Sequence, residues 1–314
     1  MTTCLVTGGA GFIGSNLVRA LLVKGIKVRV LDDFSTGRKI NLRDIETEVQ
    51  IIKGSICEFS TVQRALEKVD VCFHFAAIPS VEKSVREPIS SNDANVNGTL
   101  NVFQAAKKMS VKRVIFASSS SIYGNASEMP LKETLPRNPI SPYGVTKAAG
   151  EMYGQVYSAL YEVDIVCLRY FNVFGPFQNP DSEYAAVIPK FLTRMMDGKA
   201  PVIFGDGEQA RDFTYVDNVV EANLRVMSLP GRKAGIYNIA CGTSMSLIEL
   251  IHAINSVLGS DIKPEFTMPR PGDIRQSWAD ISLAQKMLGY APVMTVEEGL
   301  TKTAEWLGMQ GNNA

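Results

Sequence analysis

Along the first half of the chain, apolar residues fall in short unbroken runs rather than in alternation. Runs at 4–7, 28–31, 49–53, 71–75, 114–117 and 165–168 are rich in β-branched and aromatic side chains. A strand exposed on one face alternates polar and apolar residues; a continuous run marks a strand covered on both faces, hence a parallel sheet. Between the runs the period changes. Leu17, Leu21 and Leu22 line one face of a helix that Gly25 stops. Similar spacing predicts helices near 96–108 and 143–161. Alternating strands and helices predict an α/β fold with a doubly wound, Rossmann-like parallel sheet and right-handed crossovers.

The second half is less regular. Ser246-Leu-Ile-Glu249 and Thr295-Val-Glu-Glu298 each fit the reciprocal capping box that opens a helix. Three Pro/Gly-rich stretches, 129–142, 172–189 and 264–272, are long enough to read as functional loops. The polar tail 308–314 is expected to be disordered.

Composition narrows the class. With 46% hydrophobic and 20% charged residues, the 314-residue chain has the mix of a soluble globular protein. Lys+Arg and Asp+Glu both total 32, so no net charge draws it to nucleic acid or to an anionic membrane. An anionic substrate must be held by local arginines or helix ends. The five cysteines are odd in number and include no Cys-x-x-Cys, and there are only two histidines, so no metal site is expected. Reduced thiols in a cytoplasmic protein fit this pattern, as does the lack of any basic, apolar leader at the start.

Gly8-Gly-Ala-Gly-Phe-Ile-Gly14 lies between the first strand and the first helix. Glycine is needed there because the backbone must turn tightly and approach a pyrophosphate with no side chain between, while the helix start offers N–H groups to the anion. The string alone also fits an ordinary glycine turn. Asp32, at the end of the second strand, adds what a dinucleotide site requires: an acceptor for the adenosine ribose that repels a 2′-phosphate. Arg38 is the feature that would admit NADP; the doublet Asp32-Asp33 favours NAD.

Tyr143-Gly-Val-Thr-Lys147 sets a phenol and an ammonium four residues apart, on one face of a helix. Free tyrosine titrates near pH ~10, too high for a base at neutrality, and a neighbouring Lys⁺ is expected to lower that value. The spacing is common by chance. Its weight comes from Ser118-Ser-Ser-Ser-Ile-Tyr-Gly124, which follows the fifth strand at the sheet edge where such folds bind ligands.

Together with His74-Phe-Ala-Ala77, Ser141-Pro-Tyr143 and Leu168-Arg-Tyr-Phe-Asn172, these motifs resemble the extended short-chain dehydrogenase/reductase superfamily, within it the NAD-dependent epimerase/dehydratase family and in particular UDP-glucose and UDP-N-acetylglucosamine 4-epimerases. The resemblance spans nearly the whole chain. It implies a catalytic set of Ser119, Tyr143 and Lys147. It implies NAD held by Gly8, Gly11, Phe12, Ile13, Gly14, Asp32, Asp33, Ser35, Thr36, Gly37, Ser55, Ile56, Phe75, Ala76, Ala77, Lys147 and Tyr170. Ser55 departs from relatives that carry Asp there, which weakens the expected grip on adenine. A domain for NAD is expected over 1–172, with a segment near 212–241 returning to it, and a smaller mixed α/β domain for a UDP-sugar over 173–314.

The resemblance also implies that Ser119, Ser120, Ser121 and Tyr143 surround the sugar, and that Asn172, Arg211 and Arg270 reach the diphosphate. Val187 and Phe204 would flank uracil, with Val202, Asp273 and Ser277 completing the pocket. Two arginines from separate loops suit a diphosphate in a neutral protein. Small Ser277 stands where relatives carry either a bulky residue, which excludes an N-acetyl group, or a small one, which admits it. Phe177 and Asn179 stand where glucuronate epimerases tend to carry arginines, so uronates rank lower. A 4,6-dehydratase would need an acid/base pair where Ser120 and Ser121 stand. A UDP-glucuronate decarboxylase and an NAD-sensing binding protein are further alternatives; such sensors usually lose the tyrosine or the lysine. A homodimer is expected through helices near 97–108 and 145–161.

Overall fold

The computed structural model describes residues 2–179, 186–269 and 274–311. The first part of the chain runs β1 (Thr3–Thr7), α1 (Phe12–Val23), β2 (Lys27–Asp32), a 3₁₀ segment (Lys39–Glu48), β3 (Gln50–Lys53), α2 (Phe59–Ala65) and β4 (Val71–His74). Then follow α3 (Val81–Arg86), α4 (Pro88–Asn92), a π-helical segment (Asp93–Asn97), α5 (Gly98–Lys108), β5 (Arg113–Ser119), α6 (Pro142–Tyr161) and β6 (Asp164–Tyr170). The remainder comprises β7 (Val173–Phe174), α7 (Val187–Met196), β8 (Val202–Phe204), β9 (Ala210–Arg211), β10 (Thr214–Tyr215), α8 (Val216–Ser228) and β11 (Gly235–Ile239). It closes with β12 (Met245–Ser246), α9 (Leu247–Leu258), β13 (Glu265–Thr267), β14 (Gln276–Ser277), α10 (Ser282–Leu288) and α11 (Val296–Gly311).

Seven parallel strands form the central sheet in the order β11-β6-β5-β4-β1-β2-β3. Alternate residues of each strand enter two separate cores. Cys4 and Val6 join Leu17, Leu21 and α8 on one face; Leu5 and Cys72 join Val102, Phe103 and Phe116 on the other. This double burial is why the strands read as unbroken apolar runs. Truncating a ring such as Phe116, wholly inside the second core, would cost about 3–5 kcal/mol.

β1 pairs with β4 on one side and β2 on the other, so the strand order reverses there and a crevice opens beyond the strand ends. Helix α6 reaches that edge because Gly150 lets it lie against β5: a Cβ at Gly150 would stand 2.5 Å from the Phe116 ring.

Smaller sheets, β7/β10, β12-β9-β14 and β8/β13, build the rest around the same core. Both capping boxes form. Glu249 N–H donates to Ser246 Oγ at 3.2 Å and Ser246 N–H to the Glu249 carboxylate at 2.7 Å; Thr295 and Glu298 repeat the exchange. The stretch 308–311 departs from expectation, since α11 continues to Gly311; residues 312–314 lie outside the described residues. Leu300 and Ala304 bury one side of that helix, and Trp306 packs on Phe177, which supplies the tertiary support that the polar sequence lacks. Among the described residues no helix is long and apolar enough to cross a membrane.

Candidate active site

A cleft of about 710 Å³ opens at the carboxyl edge of the sheet. Its floor is the glycine turn. Gly8 has φ +70°, and a Cβ there would stand 2.7 Å from the backbone nitrogen of Ala76, so only glycine fits between β1 and the chain leaving β4. Gly11 is the N-cap of α1 and no side chain caps the helix. Gly11, Phe12, Ile13 and Gly14 line the cleft beside those first helical N–H groups, an anion site made of backbone. Asp32 is buried and accepts from Ala10 N–H (2.9 Å) and Phe34 N–H (2.8 Å), bracing the turn it borders. Burial raises its pKa above the usual carboxylate value, while those two backbone bonds hold it down. Asp33 accepts from the backbone and hydroxyl of Ser35. Thr36, Gly37, Arg38, Ser55, Ile56, Phe75, Ala76, Ala77 and Tyr170 complete this wall, with the Phe75 and Tyr170 rings stacked 6.3 Å apart.

The serine run and α6 meet at the edge of the cleft. The Tyr143 phenol lies against Ser119 and feels its hydroxyl, and Ser119 Oγ accepts from the amide and hydroxyl of Ser121 at 3.2 and 2.9 Å. Lys147 donates to the Ala117 carbonyl at 2.8 Å, and its ammonium lies 5.8 Å from the centre of the Tyr143 ring. The expected lowering of Tyr143 by Lys147 does not occur: Lys147 is not among the groups that shift it. Burial pushes the phenol up to about 12, and the Ser119 hydroxyl is what opposes it. Burial likewise pulls Lys147 down to about 8. Both charged forms are disfavoured by the low-dielectric wall, so the phenolate needs further positive charge beside it.

His74, at the end of β4, is fixed as a neutral ring. Thr99 gives its hydroxyl proton to the Asn95 carbonyl, so it must accept from His74 Nε2 at 3.0 Å, and His74 Nδ1 then accepts from Thr7 at 2.8 Å. Burial, with the charge of Lys147 second, pulls its pKa down to about 3.

On the opposite wall Ser120, Ser121, Asn172, Arg211 and Ser277 line the same cleft, as do Phe177 and Asn179. Asn172 sits at φ +31° and donates to the Asp212 carbonyl at 3.2 Å. Arg211 and Ser277 are neighbours across the β9–β14 pair. Val187, Val202 and Phe204 are half-buried but do not line this cleft. They belong to α7 and β8. Arg270 and Asp273 lie outside the described residues.

Several lining or bracing residues carry no motif. Ser80, Lys83 and Gln178 face the cleft. Asn95 holds the 78–80 turn through Ile78 N–H (2.7 Å) and donates to Thr146 on α6 at 3.1 Å. Its place in a π-helical turn, a feature often found at functional sites, leaves no periodicity in the sequence. Buried Asp212 accepts from Cys241 (2.8 Å), Gly242 (2.9 Å) and Ala279 (3.3 Å), pulling β9, the end of β11 and the chain after β14 together.

A model of the NAD dependent epimerase/dehydratase family matches residues 4–240. The chain belongs to that family. It is similar to the UDP-glucose 4-epimerase of Mycolicibacterium smegmatis, 40% identical over 96% of this chain and 97% of that protein. Two solved structures superpose closely. One is a UDP-N-acetylglucosamine 4-epimerase from Methanobrevibacter ruminantium in complex with UDP-N-acetylmuramic acid (42% identity, 98% and 99% covered, TM-score 0.93). The other is a UDP-glucose 4-epimerase from Thermotoga maritima with UDP-glucose (37% identity, 98% and 99% covered, TM-score 0.93). The chain is therefore an enzyme of the epimerase/dehydratase family with NAD as cofactor. The residues fit that cofactor: the Gly8 turn is a cradle that a single Cβ would fill, and the Asp32 carboxylate lines the same cleft, where it would accept from a ribose hydroxyl.

Proposed function

We propose that the chain inverts C4 of UDP-hexoses, UDP-glucose and UDP-galactose, and that Ser277 leaves room for their N-acetylated forms. The observation that carries this reading is Tyr143 set beside Ser119, with Lys147 one helical turn on, in one cleft with the glycine cradle and Arg211.

Tyr143 removes the proton of the 4-hydroxyl while Ser119 holds that hydroxyl in place. Bound NAD supplies the reversible two-electron oxidation of the C4 carbinol, and its oxidised ring adds the positive charge that favours a phenolate. Lys147 anchors the cofactor ribose. Arg211 and Asn172, with Arg270 by resemblance, grip the diphosphate, so that binding energy far from C4 retains the 4-keto sugar while it turns. Val187, Val202 and Phe204 are proposed for the uridine, with Asp273 beside them. Tyr143 returns the proton after the ring has presented its other face. Ser120 and Ser121 offer no carboxyl for a dehydration, which disfavours the 4,6-dehydratase reading.

The segment after residue 172 is proposed as the sugar-nucleotide half, with 212–241 serving the cofactor half. A homodimer is proposed through α6, where Val145, Met152, Val156 and Leu160 are exposed, and through α3–α4, where Val85 and Ile89 are exposed. The large apolar side chains Val102 and Phe103 of α5 are buried instead. Five unpaired thiols support the cytoplasm as the compartment.

The test is incubation of the purified protein with UDP-glucose, UDP-N-acetylglucosamine and UDP-glucuronate, followed by proton NMR. C4 inversion of the first two is expected. A deoxy-keto sugar or a pentose product would replace the epimerase reading with a dehydratase or a decarboxylase, and no turnover at all would leave an NAD-sensing protein.

A further inference from the structure

Helix α6 carries a third group on its catalytic face. Tyr143, Lys147 and Glu151 follow one another at intervals of four residues, and each grips the end of β5. Tyr143 lies against Ser119, Lys147 bonds the Ala117 carbonyl, and Glu151 accepts from Ser118 Oγ at 2.7 Å. Glu151 is wholly buried, a position that an acidic side chain occupies only when its oxygens are satisfied. They are. Oε1 also accepts from Arg169 Nε at 2.7 Å, and Oε2 accepts from Arg169 Nη2 at 2.7 Å and Arg137 Nε at 3.0 Å. Arg169 is itself 1% exposed and belongs to β6, while Arg137 comes from the long loop between β5 and α6.

The strand register gives this arrangement its meaning. Ser118 pairs with Arg169 across β5 and β6, and the next pair outward is Ser119 with Tyr170. Glu151 therefore clasps the cross-strand pair directly beneath the one that faces the cleft. Each of its strand partners is chain neighbour to a working residue, Ser118 to Ser119 and Arg169 to Tyr170. A carboxylate fits this task because it accepts from a hydroxyl and two guanidinium groups at fixed angles, locking a helix, two strand ends and a loop to one point.

We propose that Glu151 is a positioning residue for the reaction: it sets the height of the β5 and β6 ends against α6 and so holds Ser119 in register with Tyr143. The inference rests on the roles given to Ser119 and Tyr143 under the proposed function. A side chain serving the fold alone would change stability and leave turnover per folded molecule untouched.

The experiment compares the wild-type holoenzyme with Glu151→Gln and Ser118→Ala. Melting temperature, NAD content, UDP binding, kcat and KM are read for each. The expected result for Glu151→Gln is a kcat at least tenfold lower per folded molecule, with KM, UDP affinity and NAD content within about twofold. Ser118→Ala removes one bond and no charge, and decides the matter if Glu151→Gln does not fold. Its kcat should drop about three- to tenfold. Its Tyr143 phenol, isolated as the difference spectrum against the same protein carrying Tyr143→Phe, should titrate at higher pH than in the wild type, because the Ser119 hydroxyl that favours the phenolate is no longer held beside it. Unchanged kcat with lowered melting temperature in the variants would overturn the proposal, as would UDP or NAD affinity falling as far as kcat. If the wild type turns over none of the UDP-sugars, the activity reading has failed, and the Tyr143 titration in Ser118→Ala alone judges this one.

Discussion

The two walls of the cleft are built by opposite means. The wall bearing the glycine cradle is made of pieces that each lie within one strand-to-helix turn: Gly8 to Gly14 after β1, Asp32 to Gly37 after β2, Phe75 to Ala77 after β4. Each piece is placed by a strand of the central sheet. The facing wall draws on Asn172, Arg211 and Ser277, far apart in sequence and carried by strands of two residues or, for Asn172, by the turn just before one. What aligns those short strands is a buried carboxylate, Asp212, rather than a long ladder. A cofactor that serves many reactions can rest on the general architecture of the fold, whereas a particular substrate needs a wall whose pieces can vary one at a time.

That contrast can be broken by substitutions that act on one wall only. The largest effect is expected from Tyr143→Phe, which removes the proposed base between the walls: kcat for UDP-glucose should fall about 10³-fold, the size of a general-base contribution, with NAD content unchanged. Next is a pH effect confined to the cofactor wall. The folded His74 stays neutral down to about pH 3, while the unfolded chain takes up that proton near its ordinary value of 6.5. Between these values the unfolded state binds more protons, so stability is present at neutral pH and is lost as pH falls. The loss is about 2–3 kcal/mol by pH 4.5. Urea unfolding at pH 7 and pH 4.5 should show this extra acid sensitivity in the wild type and not in His74→Gln.

On the facing wall, Arg211→Met should raise KM for UDP-glucose about 10- to 100-fold through the lost diphosphate contact, leaving kcat and NAD content alone. An equal drop in NAD content would show that the walls are not independent. The smallest change is sought from Ser277→Tyr, expected to cut kcat/KM for UDP-N-acetylglucosamine about tenfold relative to UDP-glucose. Equal losses on both sugars would remove Ser277 as the selector.

The same contrast explains what the sequence made legible. Strand positions, the glycine turn, Asp32 and the α6 register follow from local periodicity and spacing, and the structure brings them to one edge. Arg211 and Ser277 reach the cleft, but no local pattern marks them, and they were found only through resemblance. Val187, Val202 and Phe204 came by the same route and do not line the cleft. Asn95, Ser84, Glu151 and Asp212 escaped notice because their work is done through bonds to distant backbone and side chains. The Ser84 hydroxyl, for example, accepts from the Tyr143 amide at 3.0 Å across 59 residues of chain. A buried acidic or amide side chain looks like any surface one until its partners are known.

The last strand of the central sheet, β11, enters it only after β7, β8, β9 and β10 have been made elsewhere, and α8, which packs on α1, precedes it. The polypeptide thus crosses from one side of the cleft to the other three times rather than once. A chimera spliced once after residue 172 would forfeit an edge strand and a covering helix together with the intended pocket. Transplanting a different sugar preference into this scaffold therefore calls for two separate grafts, one on each side of the returning segment.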